Sequence, residues 1–168
     1  EPASSCLAVE LFRSALPALD VARRPDSPAH SLHRRSPTPL AHVFVVNLII
    51  PATGDGFYQL VLYFGVHDEQ PPSATSKLYE RFCAGTDAFR NKRLKLIPSI
   101  ADGPWLVKTA VGSRPAILGK ALKQRFSRGE GYMEVDVDCN SSPAAGRIVS
   151  LVKSYASSLA VDLAFVTE

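Results

Sequence analysis

The sequence predicts an α+β fold in which a curved antiparallel β-sheet grips a long C-terminal α-helix. Three observations predict it. Apolar, β-branched runs alternate with Gly- and Asp-rich turns through much of the chain. Helical spacing shows in only one middle segment. Residues 143–166 then repeat apolar side chains every three and four positions. The 168 residues are 46% hydrophobic and 21% charged, which fits one globular domain over 1–168. A chain of this size buries roughly 70% of its unfolded surface and needs no disulfide or metal to hold it. Because it begins with Glu and not Met, it is read as a fragment of a longer protein.

Residues 21–41, with four Pro and four Arg, read as an irregular loop. Within it Ser27, Ser36 and Thr38 each precede a Pro, a pattern that suits phosphorylation. HVFVVNLIIP (42–51) and FYQLVLYFGV (57–66) flank the turn ATGDG and predict a hairpin. Leu78, Tyr79 and Phe82 predict a helix over 74–84, ending at Gly85. RLKLIP (93–98) alternates as a strand, with Arg93 and Lys95 on one face. WLVKTAVG (105–112) and PAILGKAL (115–122) read as a strand pair, the second also compatible with a helix. GYMEVDVDC (131–139) alternates most cleanly: Glu134, Asp136 and Asp138 point one way, Met133, Val135, Val137 and Cys139 the other. The last helix starts with Ser142 as N-cap and Pro143 as its first residue. Its stripe is Ile148, Leu151, Val152, Tyr155, Leu159, Leu163 and Val166. Lys153, Asp162 and the interspersed serines argue against a membrane span there.

The net charge of +3 is unevenly spread: residues 86–128 carry ten bases against two acids, and residues 129–168 two bases against six acids. The basic block could meet phospholipid head groups or nucleic acid, or pair with the acidic block across a sheet. Aromatic residues are sparse within it, which disfavours nucleic acid. Cys6, Cys83 and Cys139 form no C-x-x-C pair and read as free thiols in a reducing, cytoplasmic compartment. GSRPAILGKA (112–121) lacks the spacing of a phosphate loop, and no G-x-S-x-G or H-E-x-x-H occurs. The three carboxylates of 134–138 read as cross-strand partners of Arg93, Lys95 or Lys108. The other reading, a hard cation or an acid–base pair, lacks ligands from a second element. No cofactor, metal or catalytic residue is expected.

FVVNLIIP, YQLVLYF, LYERFCAGTDAFRNKRLKLIP, GPWLVKTAVGSRPAILGKAL and GYMEVDVDCNSSPAAGRIVSLVKSYASSLAVDLAF together resemble the C-terminal domain of the plant enhanced disease resistance 2 proteins. The resemblance runs from about Leu7 to Glu168. Gly85-Thr86-Asp87 replaces the usual Gly-Asp-Asp, and Cys139-Asn140 the usual Ile-Gly. It implies that the domain follows a pleckstrin-homology domain and a steroidogenic-acute-regulatory-type (START) lipid-transfer domain, and works at membranes. It carries over no catalytic residues.

Strands followed by a long amphipathic helix are similar to the START-type helix-grip architecture. The function expected is therefore a non-catalytic lipid-binding module, peripheral at a membrane. Its apolar cavity is expected against Trp105, Leu151, Tyr155 and Leu159, and Arg90, Arg93, Lys95 and Lys108 are expected to meet an anionic phospholipid head group. Nucleic acid is not an expected partner. The alternative is a regulatory domain that binds a protein or its own upstream domains and has no lipid cavity.

Overall fold

The computed structural model describes residues 4–35, 40–68 and 71–168. Its fourteen helices and strands follow in chain order. They are β1 (Ser4–Ser14), α1 (Pro28–Arg35), β2 (Leu40–Pro51), β3 (Phe57–His67), α2 (Ala74–Ala84), α3 (Asp87–Asn91) and β4 (Lys95–Asp102), then α4 (Trp105–Val111), β5 (Ala116–Ile117), α5 (Leu118–Ala121), β6 (Lys123–Gly129), β7 (Tyr132–Asp138), α6 (Pro143–Ser154) and β8 (Ala160–Val166). Two sheets organise them: a five-stranded sheet in the order β1-β3-β2-β7-β6, and a three-stranded one in the order β5-β4-β8. The fold is α+β. The large sheet is mixed and not wholly antiparallel, because β2 and β7 run parallel, from Val43 opposite Tyr132 to Ile49 opposite Asp138.

The hairpin β2–β3 forms where the apolar runs predict it, with Phe44 opposite Phe64 and Leu48 opposite Leu60. Strict alternation gives the sheet two different faces. One face carries Phe44, Val46, Leu48, Met133, Val135 and Val137, packed against Phe82, Leu94 and Leu118 from the helical side. The other carries Val43, Val45, Val61, Tyr63 and Tyr132, covered by Val21, Ala22 and Ala29.

Four expectations are corrected. First, residues 21–41 are not an irregular loop throughout. A 3-10 turn spans Val21–Arg23 and α1 spans Pro28–Arg35, while Ser36 and Thr38 lie outside the described residues. Pro28 starts a helix there because a first-turn N–H needs no partner. Second, 105–111 is the helix α4, not a strand. Pro104 stands before it and Gly112, at φ 66°, ends it. Third, within 115–122 only Ala116–Ile117 is strand, and Leu118–Ala121 is a helical turn.

Fourth, the long terminal helix ends at Ser154. Ser142 does cap it, accepting the Ala145 N–H at 3.3 Å. After a 3-10 turn at Ala156–Ser158, however, the chain becomes β8 and pairs antiparallel with β4. No long helix is left for a sheet to grip. Leu159 and Leu163 are four residues apart, and that spacing suits a helical stripe and a strand face alike. The β-branched and aromatic AVDLAFV prefers the strand when the edge of β4 is there to receive it.

Candidate functional site

A pocket of about 520 Å³ opens between the apolar sheet face and the elements laid over it. The strands supply its floor: Phe44 from β2, Phe64 and Val66 from β3, and Ser4 from β1. One wall is α2, through Thr75, Ser76 and Tyr79; the other is the end of β8, from Leu163 to Thr167. Ser73 fixes the start of α2 by accepting the Ser76 N–H at 3.1 Å. Aromatic edges hold the walls to the floor. Phe44 meets Tyr79 edge-on at 6.0 Å between centroids, and Phe64 meets Phe165 at 5.8 Å. The Tyr79 hydroxyl lies 2.9 Å from His42 Nδ1, and burial pushes its pKa well above the usual phenol value. Among the described residues no Lys, Arg, Asp or Glu lines the pocket, which is open to solvent on one side.

The expected cavity residues lie elsewhere. Trp105 is 75% exposed at the start of α4, and Leu151, Tyr155 and Leu159 are half-buried without lining the pocket. The difference follows from the break at Ser154: Leu163–Thr167 reach the pocket at the end of β8, while α6 contributes no lining residue.

The four expected head-group residues do not converge. Arg90 is 6% exposed. Its guanidinium donates to the Phe82 carbonyl at 3.2 Å, to the Cys83 carbonyl at 2.6 Å and to Asp87 at 2.6 Å. It also stacks over the Phe126 ring at 5.4 Å. Arg90 therefore binds α2, α3 and β6 together. Gly119 reinforces that joint, since a Cβ there would come within 2.2 Å of the Asn91 carbonyl oxygen. Arg93 precedes β4 and lies over Phe89 at 3.8 Å. Lys95 pairs with Glu168 and stands opposite Val166 of the pocket wall. Lys108, on α4, donates to the Ala101 carbonyl at 3.3 Å. Only Arg93 and Lys95 flank a pocket residue, Leu94.

Among the described residues, Glu134, Asp136 and Asp138 form no ion pair with Arg93, Lys95 or Lys108. Glu134 is fully buried and accepts the N–H groups of Val21 at 2.9 Å and Ala22 at 2.7 Å. Asp136 accepts the Asp20 N–H at 3.2 Å and the Asn47 amide at 2.7 Å. Asp20 adopts φ 52°, which turns these N–H groups toward the strand. Burial, and then the hydrogen bond to Asp136, raises Glu134 to about 8, and burial also raises Asp136. Asp138 instead accepts the Asn140 N–H at 3.0 Å. Among the described residues no cluster of three or more His, Cys, Asp or Glu has metal-binding geometry. Ser27 is buried, with its hydroxyl 3.4 Å from that of Tyr63, so its Ser-Pro pair is closed to modification in this structure. The cysteines are free. Burial pushes Cys139 up to about 12.

A family model described as Protein ENHANCED DISEASE RESISTANCE 2, C-terminal, matches residues 1–168. The chain belongs to that family. A curated relative from Arabidopsis thaliana, Protein ENHANCED DISEASE RESISTANCE 2-like, is 43% identical over 124 residues. That match covers 74% of the chain and 16% of the relative, so the chain spans well under a fifth of that family member's length. No solved structure matches. Among the described residues no helix is long and apolar enough to cross a membrane.

The pocket's own aromatic residues were missed as a site. Phe44, Phe64 and Tyr79 lie in elements the sequence predicts, whereas Phe165 falls outside the expected helical stripe and joins them only through the β4–β8 pairing.

Proposed function

We propose that the chain is a non-catalytic lipid-binding module that takes a hydrocarbon chain into the pocket between β2, β3, α2 and β8. The single observation that carries this reading is a largely apolar pocket of about 520 Å³, open to solvent on one side, with no charged lining residue among the described residues. Arg93 and Lys95, the neighbours in sequence of the pocket residue Leu94, are the cations proposed to meet an anionic phospholipid head group, Lys95 by releasing Glu168. The likeness to START-type helix-grip domains is one of plan only, a sheet with other elements laid over it. In this chain α2 and β8 close the space. Peripheral work at a cytoplasmic membrane surface, alongside upstream pleckstrin-homology and START-type domains, completes the reading.

Native mass spectrometry of the purified chain, followed by organic extraction, tests it. A stoichiometric lipid above the 18.2 kDa chain mass is expected, and Leu163→Trp, on the strand face that carries Phe165 into the pocket, removes it. A bare chain after expression and after incubation with mixed lipids overturns it.

One observation favours a protein-binding domain instead. The edge strand β1 leaves Val9 and Leu11 exposed, a surface suited to strand addition. A partner that competes with nothing in the pocket, on a chain without lipid, selects that reading.

A further inference from the structure

Trp105 is the only tryptophan in the sequence, and it faces solvent. Leu106 beside it is 45% exposed, and Ile148 on α6, which packs against α4, is 38% exposed. The local structure does not force this exposure: α4 already buries Val107, and Pro104 and Gly112 bound it at either end. A rigid turn therefore presents an indole and an isobutyl group outward, where water would favour polar residues.

The charge around it is one-sided. From Pro104 to Gly129 the chain carries Lys108, Arg114, Lys120, Lys123, Arg125 and Arg128 and no acid, and all six bases are exposed. The acid nearest in sequence, Asp102, accepts the Gly103 N–H at 2.9 Å. Asp162 on β8 is the other acid on the β4–β8 sheet outside its ends. An exposed Trp–Leu pair on a short helix that also carries the exposed Lys108 and is followed by the exposed Arg114 complements a surface that is anionic outside and apolar a few ångströms in.

We infer that the Trp105–Leu106 turn of α4 inserts into the head-group layer of an anionic lipid bilayer, with Lys108 and Arg114 providing the electrostatic attraction. This inference deepens the proposed membrane function and rests on it. It is independent of whether the pocket holds a lipid.

Because Trp105 is alone in the chain, its fluorescence reports the docking directly. The intact chain is mixed with phosphatidylcholine vesicles with and without phosphatidylserine. A blue-shifted emission and co-sedimentation are expected with phosphatidylserine, weakening as salt rises. Trp105→Ala or Leu106→Ala lowers the vesicle affinity about tenfold or more while the far-ultraviolet spectrum and unfolding midpoint stay unchanged. Lys108→Glu with Arg114→Glu lowers affinity and flattens the salt dependence. Unshifted emission with both vesicle types overturns the inference, even where extraction still yields a pocket lipid. A shift produced by single-stranded oligonucleotide and not by vesicles also overturns it. A shift with vesicles but no pocket lipid upholds it and rejects the pocket instead.

Discussion

On one face of the five-stranded sheet, Phe44, Phe64 and Val66 meet α2 and β8 through ring edges and leave a pocket. On the opposite face, residues 18–22 lie against β2 and β7. There Asn47 donates to the Ala18 carbonyl at 2.8 Å, while Asp136 and Glu134 accept the N–H groups of residues 20–22. Hydrophobic contact is non-directional and tolerates a gap. Buried hydrogen bonds fix position and tolerate almost none. The difference teaches which side of the sheet leaves open space and which side is fixed by directional bonds.

The largest break in that contrast is Glu134→Leu. It leaves the Val21 and Ala22 N–H groups buried without an acceptor and should cost about 3–5 kcal/mol in urea unfolding. Hydrogen exchange should show residues 18–32 opening first.

A graded break comes from pH. Glu134 and Asp136 both hold their protons more tightly folded than unfolded. Their contribution is therefore fully present below the unfolded values and is lost as pH rises through the folded ones. Stability should fall by on the order of 2 kcal/mol between about pH 4.5 and pH 8. Asp136→Asn should narrow that window, because the charge beside Glu134 is gone. A melting temperature unchanged across this range would contradict the shared burial of the two carboxylates.

The smallest effect is expected on the pocket side. Phe64→Ala should cost about 1–2 kcal/mol, below the 3–5 usual for a core Phe, because open space already adjoins the ring. Equal costs on the two faces would erase the distinction between a tolerant and an intolerant side.

Much of this contrast was legible in the sequence. The alternation of 131–139 separates Met133, Val135 and Val137 from Glu134 and Asp136, and the structure keeps that separation. The hairpin β2–β3 and the helix at 74–84 also follow from local pattern. What was hidden depends on distant pairing. The acceptor role of Glu134 requires backbone N–H groups more than a hundred residues away, and no side-chain code announces a backbone partner. β8 forms because β4 offers an edge, and its residues satisfy a helical period equally well. The helix at 105–111 was readable from Pro104 and Gly112, but the β-branched run outweighed those end signals. Arg90 looked like a surface cation because nothing in FRNKR shows that three carbonyl and carboxylate oxygens converge on it.

The parallel seam between β2 and β7 carries a further consequence, for the order of assembly. Asn47 and Asp136 meet across 89 residues of chain, at the centre of the sheet and not at its rim. Local hairpins close in microseconds, whereas such long-range pairing is intrinsically slow. During synthesis β2 and β3 emerge and pair early, and the inner edge of VFVVNLII then stays unpaired until β7 has been made. That edge is apolar, β-branched and uncharged, the composition most prone to sticking to other chains. The nascent molecule therefore passes through an interval in which its sheet is open down the middle, and its yield in cells depends on how quickly the last third of the chain arrives to shut it.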